Sequence, residues 1–292
     1  MKTEEALALL LARLSFDKLT KTRIFHLMKN HVDWYEFLNI CVKKKLICLV
    51  YKKLEDLNLI QLLPMMIINN MQYHYEQNQK QNERFMQASD PIISFFRQNN
   101  ILSIPVKGIR FLNTLYSEEP GVRILNDIDF IASAKDQEKI HNYMINSEFK
   151  PYLVNNQDIL CCDDEKIRSY FYINFNETSS FGKLRIDFDF SFTDKWIKLI
   201  QLGECPIYEF LYLCQTYYTE SAAKTKIYDI STYDYIKLVD LREYHCRYLS
   251  LFSPEDILVY ANKLGVRKAL LFTGACLSNI YTDFSDWIYF KE

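Results

Sequence analysis

The sequence predicts an α+β protein, with a small mixed-sheet core in the middle of the chain flanked by N-terminal and C-terminal helical regions. Three observations lead there. Apolar residues recur at helical spacing before residue 98 and again after residue 196. Between them the texture changes to short, β-branched runs bounded by turn residues, such as ILSIPV, RILNDIDFIA and LRIDFDFSF. Only seven prolines fall in 292 residues, so little interrupts the flanking helices. The expected division is 1–98, 99–195 and 196–292.

Residues 3–15 and about 32–56 carry helical periodicity, as in Trp34, Phe37, Leu38 and Cys41. Leu63 to Gln98 reads as one long helix opening near Pro64 and kinked or divided at Pro91. Its middle is rich in Gln and Asn, yet Met71, Tyr75, Phe85 and Met86 recur as a stripe facing a core. Beyond Asn100, ILSIPV predicts a strand, IRFLNTLY a short helix, SEEPGV a turn and RILNDIDFIA a second strand. Ser133 then caps an amphipathic helix, KDQEKIHNYMINSEF. Strands are expected at about 152–161, 168–176 and 183–192, the last two joined by NETSSFG. Four helical segments follow: PIYEFLYLCQTYY, STYDYIKLVDLREYHCRYL, SPEDILVYANKLG and RKALLFTGACLSNIY. Ser253 with Pro254, Glu255 and Asp256 makes a strong helix start.

Lys and Arg total 35 against 37 Asp and Glu, a net charge of -2. That balance disfavours extended nucleic acid as a partner, because phosphate binding needs a basic excess. None of the eight cysteines lies in a C-x-x-C pair, which argues against structural zinc. Adjacent Cys161 and Cys162 read as plain thiols. Glu4 and Glu5 stand where a signal peptide would be basic, and no stretch is apolar and long enough to span a bilayer. The expectation is a cytoplasmic protein with no membrane partner. P-loop, dinucleotide-binding and nucleophile-elbow motifs are absent.

The chemistry concentrates between Ile104 and Ala132 and on LRIDFDFSF. Asp127 and Asp129 flank Ile128 on a predicted strand, so both carboxylates leave one face while Ile128 and Phe130 enter the core. Two ionised carboxylates side by side repel unless a cation lies between them, and an all-oxygen set suits Mg²⁺ or Mn²⁺. Asp187 on the later strand is the expected third ligand, with Asp189 pointing the same way. Lys107 and Gly108 end a strand and open a helix: the glycine allows a tight turn and close backbone approach, and the lysine offers a charge for phosphate. Arg123 either neutralises a triphosphate or anchors the loop. Each signal has a plain alternative, since D-x-D recurs in solvated strands and acidic residues protect sheet edges. Their order on these elements is what gives them weight.

VKG–helix–RILNDIDF–RIDFDF resembles the nucleotidyltransferase superfamily that includes DNA polymerase β, and more closely its bacterial branch of uncharacterised nucleotidyltransferases. There an L-K-G-x₂ segment and an R-x-x-x-D-I-D segment recur. The resemblance runs from about Pro64 to Tyr281 and is specific over Ile104–Ala132 and Leu184–Phe190; KLVDLREY and YANKLGVRKALLF fit the branch's helical C-terminal part. It implies that Asp127, Asp129 and Asp187 are catalytic metal ligands, and that Lys107, Gly108 and Arg123 bind the nucleotide. It further implies a two-metal transfer of NMP from an NTP, with ATP the foremost candidate, to a hydroxyl of a small molecule, peptide or protein. The superfamily's usual serine is absent, and Asp189 replaces a histidine common in the branch. Two competing readings are an inactive adaptor binding through its helical flanks, and a tRNA-modifying or toxin transferase.

Overall fold

The structure, a computed structural model, describes residues 2–151, 169–179, 182–203, 205–225 and 235–285. The chain divides into two compact units. One comprises Met1–Gln77, Gly121–Arg123 and Cys205–Glu292; the other comprises Asn78–Pro120 and Ile124–Glu204.

The first unit is helical among its described residues. It opens with α1 (Thr3–Leu11), α2 (Lys18–Met28), α3 (Trp34–Lys43) and α4 (Ile47–Asp56). α5 (Met65–Gln98) begins in this unit, and the division falls within that helix. The unit continues with α9 (Pro206–Thr225), α10 (Tyr235–Tyr244), a π-helical turn at His245–Leu249, α11 (Pro254–Leu264) and α12 (Arg267–Ile280).

The helix expected over about 32–56 is thus two helices, and the reason is local. Lys45 takes a left-handed φ of 57°. The Leu46 N–H bonds to the Cys41 carbonyl and the Lys45 N–H to the Val42 carbonyl, which is a Schellman stop. The same bonds close α4 at Asn58-Leu59, α5 at Asn100-Ile101 and α11 at Gly265-Val266. In each case the residue after the left-handed one, Leu46, Leu59, Ile101 or Val266, is apolar and buried, which secures the turn. α2 was not expected. It buries only Thr20 and Ile24, so its apolar period is faint, but Asp17 caps it through the Thr20 N–H.

α5 runs through Pro91 without a break. One stripe of the helix is buried: Ile67, Met71, Asn78, Asn82, Phe85, Ser89, Ile92 and Phe96, at spacings of three, four and seven. Tyr75 and Met86 are half-buried beside it.

The second unit holds a five-stranded mixed sheet in the order β1 (Ser103–Val106), β2 (Ile128–Ala132), β5 (Gly182–Asp189), β4 (Ser169–Ser179) and β3 (Phe149–Pro151). β2 and β5 pair in parallel and the other neighbours are antiparallel. α6 (Lys107–Leu112), α7 (Gln137–Asn146) and α8 (Asp194–Leu202) complete it. One core joins Phe85, Ile92 and Phe96 of α5, Ile140 and Met144 of α7, and the inward residues of the central strands. The rings of Phe130 and Phe188 stack 5.3 Å apart, with Phe96 and Tyr172 edge-on to them. Ser133 caps a 3₁₀ turn at Ala134–Asp136, and α7 starts only at Gln137. The strand expected at about 152–161, with Cys161 and Cys162, lies outside the described residues.

Candidate active site

The parallel pairing of β2 with β5 sets Asp129 directly opposite Asp187. Neighbouring strands lie about 4.8 Å apart and paired residues share a face, so the two carboxylates stand side by side. The alternate residues Ile128, Phe130, Ile186 and Phe188 are buried on the opposite face, where the aromatic core holds the register. Asp127 precedes β2 by one residue, and its charge acts on both Asp187 and Arg185.

Two basic side chains close on these carboxylates. Lys107 Nζ donates to Asp129 Oδ1 at 2.9 Å. Arg185 forks onto Asp187, with Nε to Oδ1 at 2.7 Å and Nη2 to Oδ2 at 2.5 Å. Burial pushes the Asp187 carboxyl up to about 7; Arg185 opposes that rise and the charges of Asp127 and Asp129 add to it. Burial works against the Arg185 charge too, but its bond to Asp187 and the charges of Asp187, Asp127 and Asp129 outweigh it and raise the pKa.

Sequence reasoning passed over Arg185. The available signal was the strand period, since Arg185 and Asp187 are two residues apart on one face.

The turn expected of Gly108 falls one residue earlier, on Lys107, while the close approach remains at Gly108. The left-handed residue is Lys107, with φ 52°, and Gly108 lies within α6. A Cβ on Gly108 would stand 2.2 Å from Leu125 Cδ2, so the buried Leu125 side chain would have to move to admit one. A left-handed lysine is strained, and such strain gathers at functional sites.

Among the described residues, no three His, Cys, Asp or Glu side chains stand in a metal-holding arrangement. Asp129 pairs with Lys107 and Asp187 with Arg185. Asp189 accepts from the Ser191 N–H at 2.8 Å, where the strand ends.

Arg123 and Asp240 both belong to the helical unit. Arg123 Nε lies 2.9 and 3.0 Å from the two Asp240 oxygens, and Nη2 lies 2.7 Å from Oδ2. Both side chains are buried, at 7% and 6% exposure. Of the two roles open to Arg123 from sequence, this pairing is that of a loop anchor, with its guanidinium committed to a carboxylate. Lys237 likewise pairs with Glu220. Tyr217 and Tyr218 pack against Phe272, and Tyr172 against Phe188. The buried thiols Cys41, Cys48 and Cys214 are pushed up by burial, Cys48 to about 12, which makes them poor nucleophiles.

A family model described as "Uncharacterised nucleotidyltransferase" matches residues 30–282. The chain belongs to that family. The match takes in every residue of the site, from Lys107 to Asp187, and leaves α1 and α2 before it. No curated protein and no solved structure matches the chain. For this nucleotidyltransferase, no described helix is long and apolar enough to cross a membrane.

Proposed function

We propose that this nucleotidyltransferase moves an NMP from an NTP, ATP foremost, to a hydroxyl of a small-molecule, peptide or protein acceptor, in a reaction that depends on Mg²⁺ or Mn²⁺. The observation that carries the reading is the register of Asp129 against Asp187, with Asp127 one residue before β2 and basic side chains on both carboxylates. The donor set fits a hard divalent cation: it is all oxygen, and crowding with burial holds Asp187 up to about 7, a cost that a bound cation would relieve. Asp127, Asp129 and Asp187 would hold the cations. When bound, such ions supply Lewis-acid stabilisation of the triphosphate charge and make the acceptor hydroxyl more acidic.

The chain's own groups do the rest. Lys107, beside Asp129, binds the β- and γ-phosphates and so orients the α-phosphate for in-line attack. The acceptor oxygen forms a bond to the α-phosphorus, the bond from that phosphorus to the bridging oxygen breaks, and pyrophosphate leaves with the bonding pair. Asp187 accepts the hydroxyl proton. Gly108 leaves room for the Leu125 side chain beside the start of α6, next to Lys107.

The test is turnover. The protein is incubated with Mg²⁺ and each labelled NTP, alone and with pools of small molecules, peptides or lysate protein, and pyrophosphate and labelled adducts are measured. Label on an acceptor, with release of pyrophosphate that EDTA abolishes, supports the reading; wild-type protein that neither binds Mg·NTP nor releases pyrophosphate contradicts it.

A further inference from the structure

Arg185 and Asp187 share one face of β5, and their side chains meet in a two-pronged contact that uses both carboxylate oxygens, at 2.7 and 2.5 Å. Those are the oxygens that a divalent cation would need. The guanidinium also feels the charges of Asp127 and Asp129, so it stands where positive charge is wanted by all three. Its side chain is 44% exposed while that of Asp187 is 14% exposed. The arginine is therefore the more solvent-exposed partner of the pair. Its planar fork suits a phosphate as well as it suits a carboxylate.

We propose that Arg185 is a positioning residue that holds both oxygens of Asp187 in the cation-free protein, and passes its fork to the nucleotide's phosphates when a divalent cation takes its place. This rests on the cation-dependent nucleotidyl transfer proposed above. Lys107 on Asp129 forms a parallel pair, so cation entry frees two basic groups for one triphosphate. Before loading, the pairs keep the acidic site from repelling itself. After loading, the same positive charges meet the incoming anion. A salt bridge that only braces β5 would have no part in holding the nucleotide, and its loss would leave the KM for Mg·NTP unchanged.

The cation exchange is measurable with Mn²⁺ alone, by titration calorimetry or EPR. Removing a competing charge in Arg185→Gln is expected to tighten Mn²⁺ binding about tenfold. In turnover the same variant should raise the KM for Mg·NTP about tenfold with a smaller change in kcat. Arg185→Lys keeps the charge and loses the fork, so Mn²⁺ affinity should stay near wild type while KM still rises. Unchanged or weaker Mn²⁺ binding in Arg185→Gln overturns the exchange, and a wild-type KM in both variants overturns the phosphate contact. If wild type binds Mn²⁺ in a way that Asp129→Asn abolishes, yet Arg185→Gln behaves as wild type, only this inference fails. If wild type takes up no Mn²⁺, the cation-dependent reading fails with it.

Discussion

Asp187 and Lys107 carry the site's unusual physics. Burial beside two other carboxylates lifts Asp187 from 3.8 to about 7. Between those values the folded protein keeps a proton that the unfolded chain has released, so this group lowers stability as pH rises through the window. Asp187→Asn removes the ionisation. Measured by urea unfolding, the variant should gain on the order of 1–3 kcal/mol relative to wild type between about pH 4 and pH 8; a constant difference across that range would count against the assignment. Lys107 holds a left-handed backbone that a lysine resists. Lys107→Gly relieves the strain and Lys107→Ala does not, so the glycine variant should be the more stable by about 1 kcal/mol. Both lack the ammonium, and both should lose Mg·NTP affinity in equilibrium binding. Retained affinity in either would remove Lys107 from the phosphate site.

At the scale of elements, β2 and β5 were legible because a strand's period is strict. RILNDIDFIA and LRIDFDFSF alternate so cleanly that the core face and the acidic face follow from the residues. What the alternation did not supply was pairing, since only the register shows that Asp129 meets Asp187 and not Asp189. Helix ends were less legible. The stops at Lys45 and Asn58 use left-handed residues other than glycine, recognisable mainly by the apolar residue that follows. In the Gln- and Asn-rich middle of α5, which the Met71, Tyr75, Phe85 and Met86 stripe marks as a helix, the texture does not single out Asn82, yet it is fully buried and donates to the Pro120 carbonyl at 2.6 Å. Arg123 shows the same limit, because a sequence cannot say which of many carboxylates a guanidinium will find. Its fork onto Asp240 of α10 is buried on both sides. Asp240→Ala should cost the helical unit about 3–5 kcal/mol by removing the carboxylate onto which the buried Arg123 guanidinium forks. A thermal melt within a degree or two of wild type would show the pair to be dispensable.

For the whole molecule, the fold and the family agree. The chain has the α+β plan read from its sequence, and the family match spans residues 30–282. Asp127, Asp129, Asp187 and Lys107 all lie within the sheet-bearing unit. The central claim is that Asp127, Asp129 and Asp187 together serve a cation-dependent nucleotidyl transfer. Pyrophosphate release from Mg·NTP, compared between wild type and Asp129→Asn with an accepting pool present, tests it most directly. The account predicts release by wild type that falls at least about a hundredfold in the variant, with its melting transition retained. Equal release by the two proteins would contradict it.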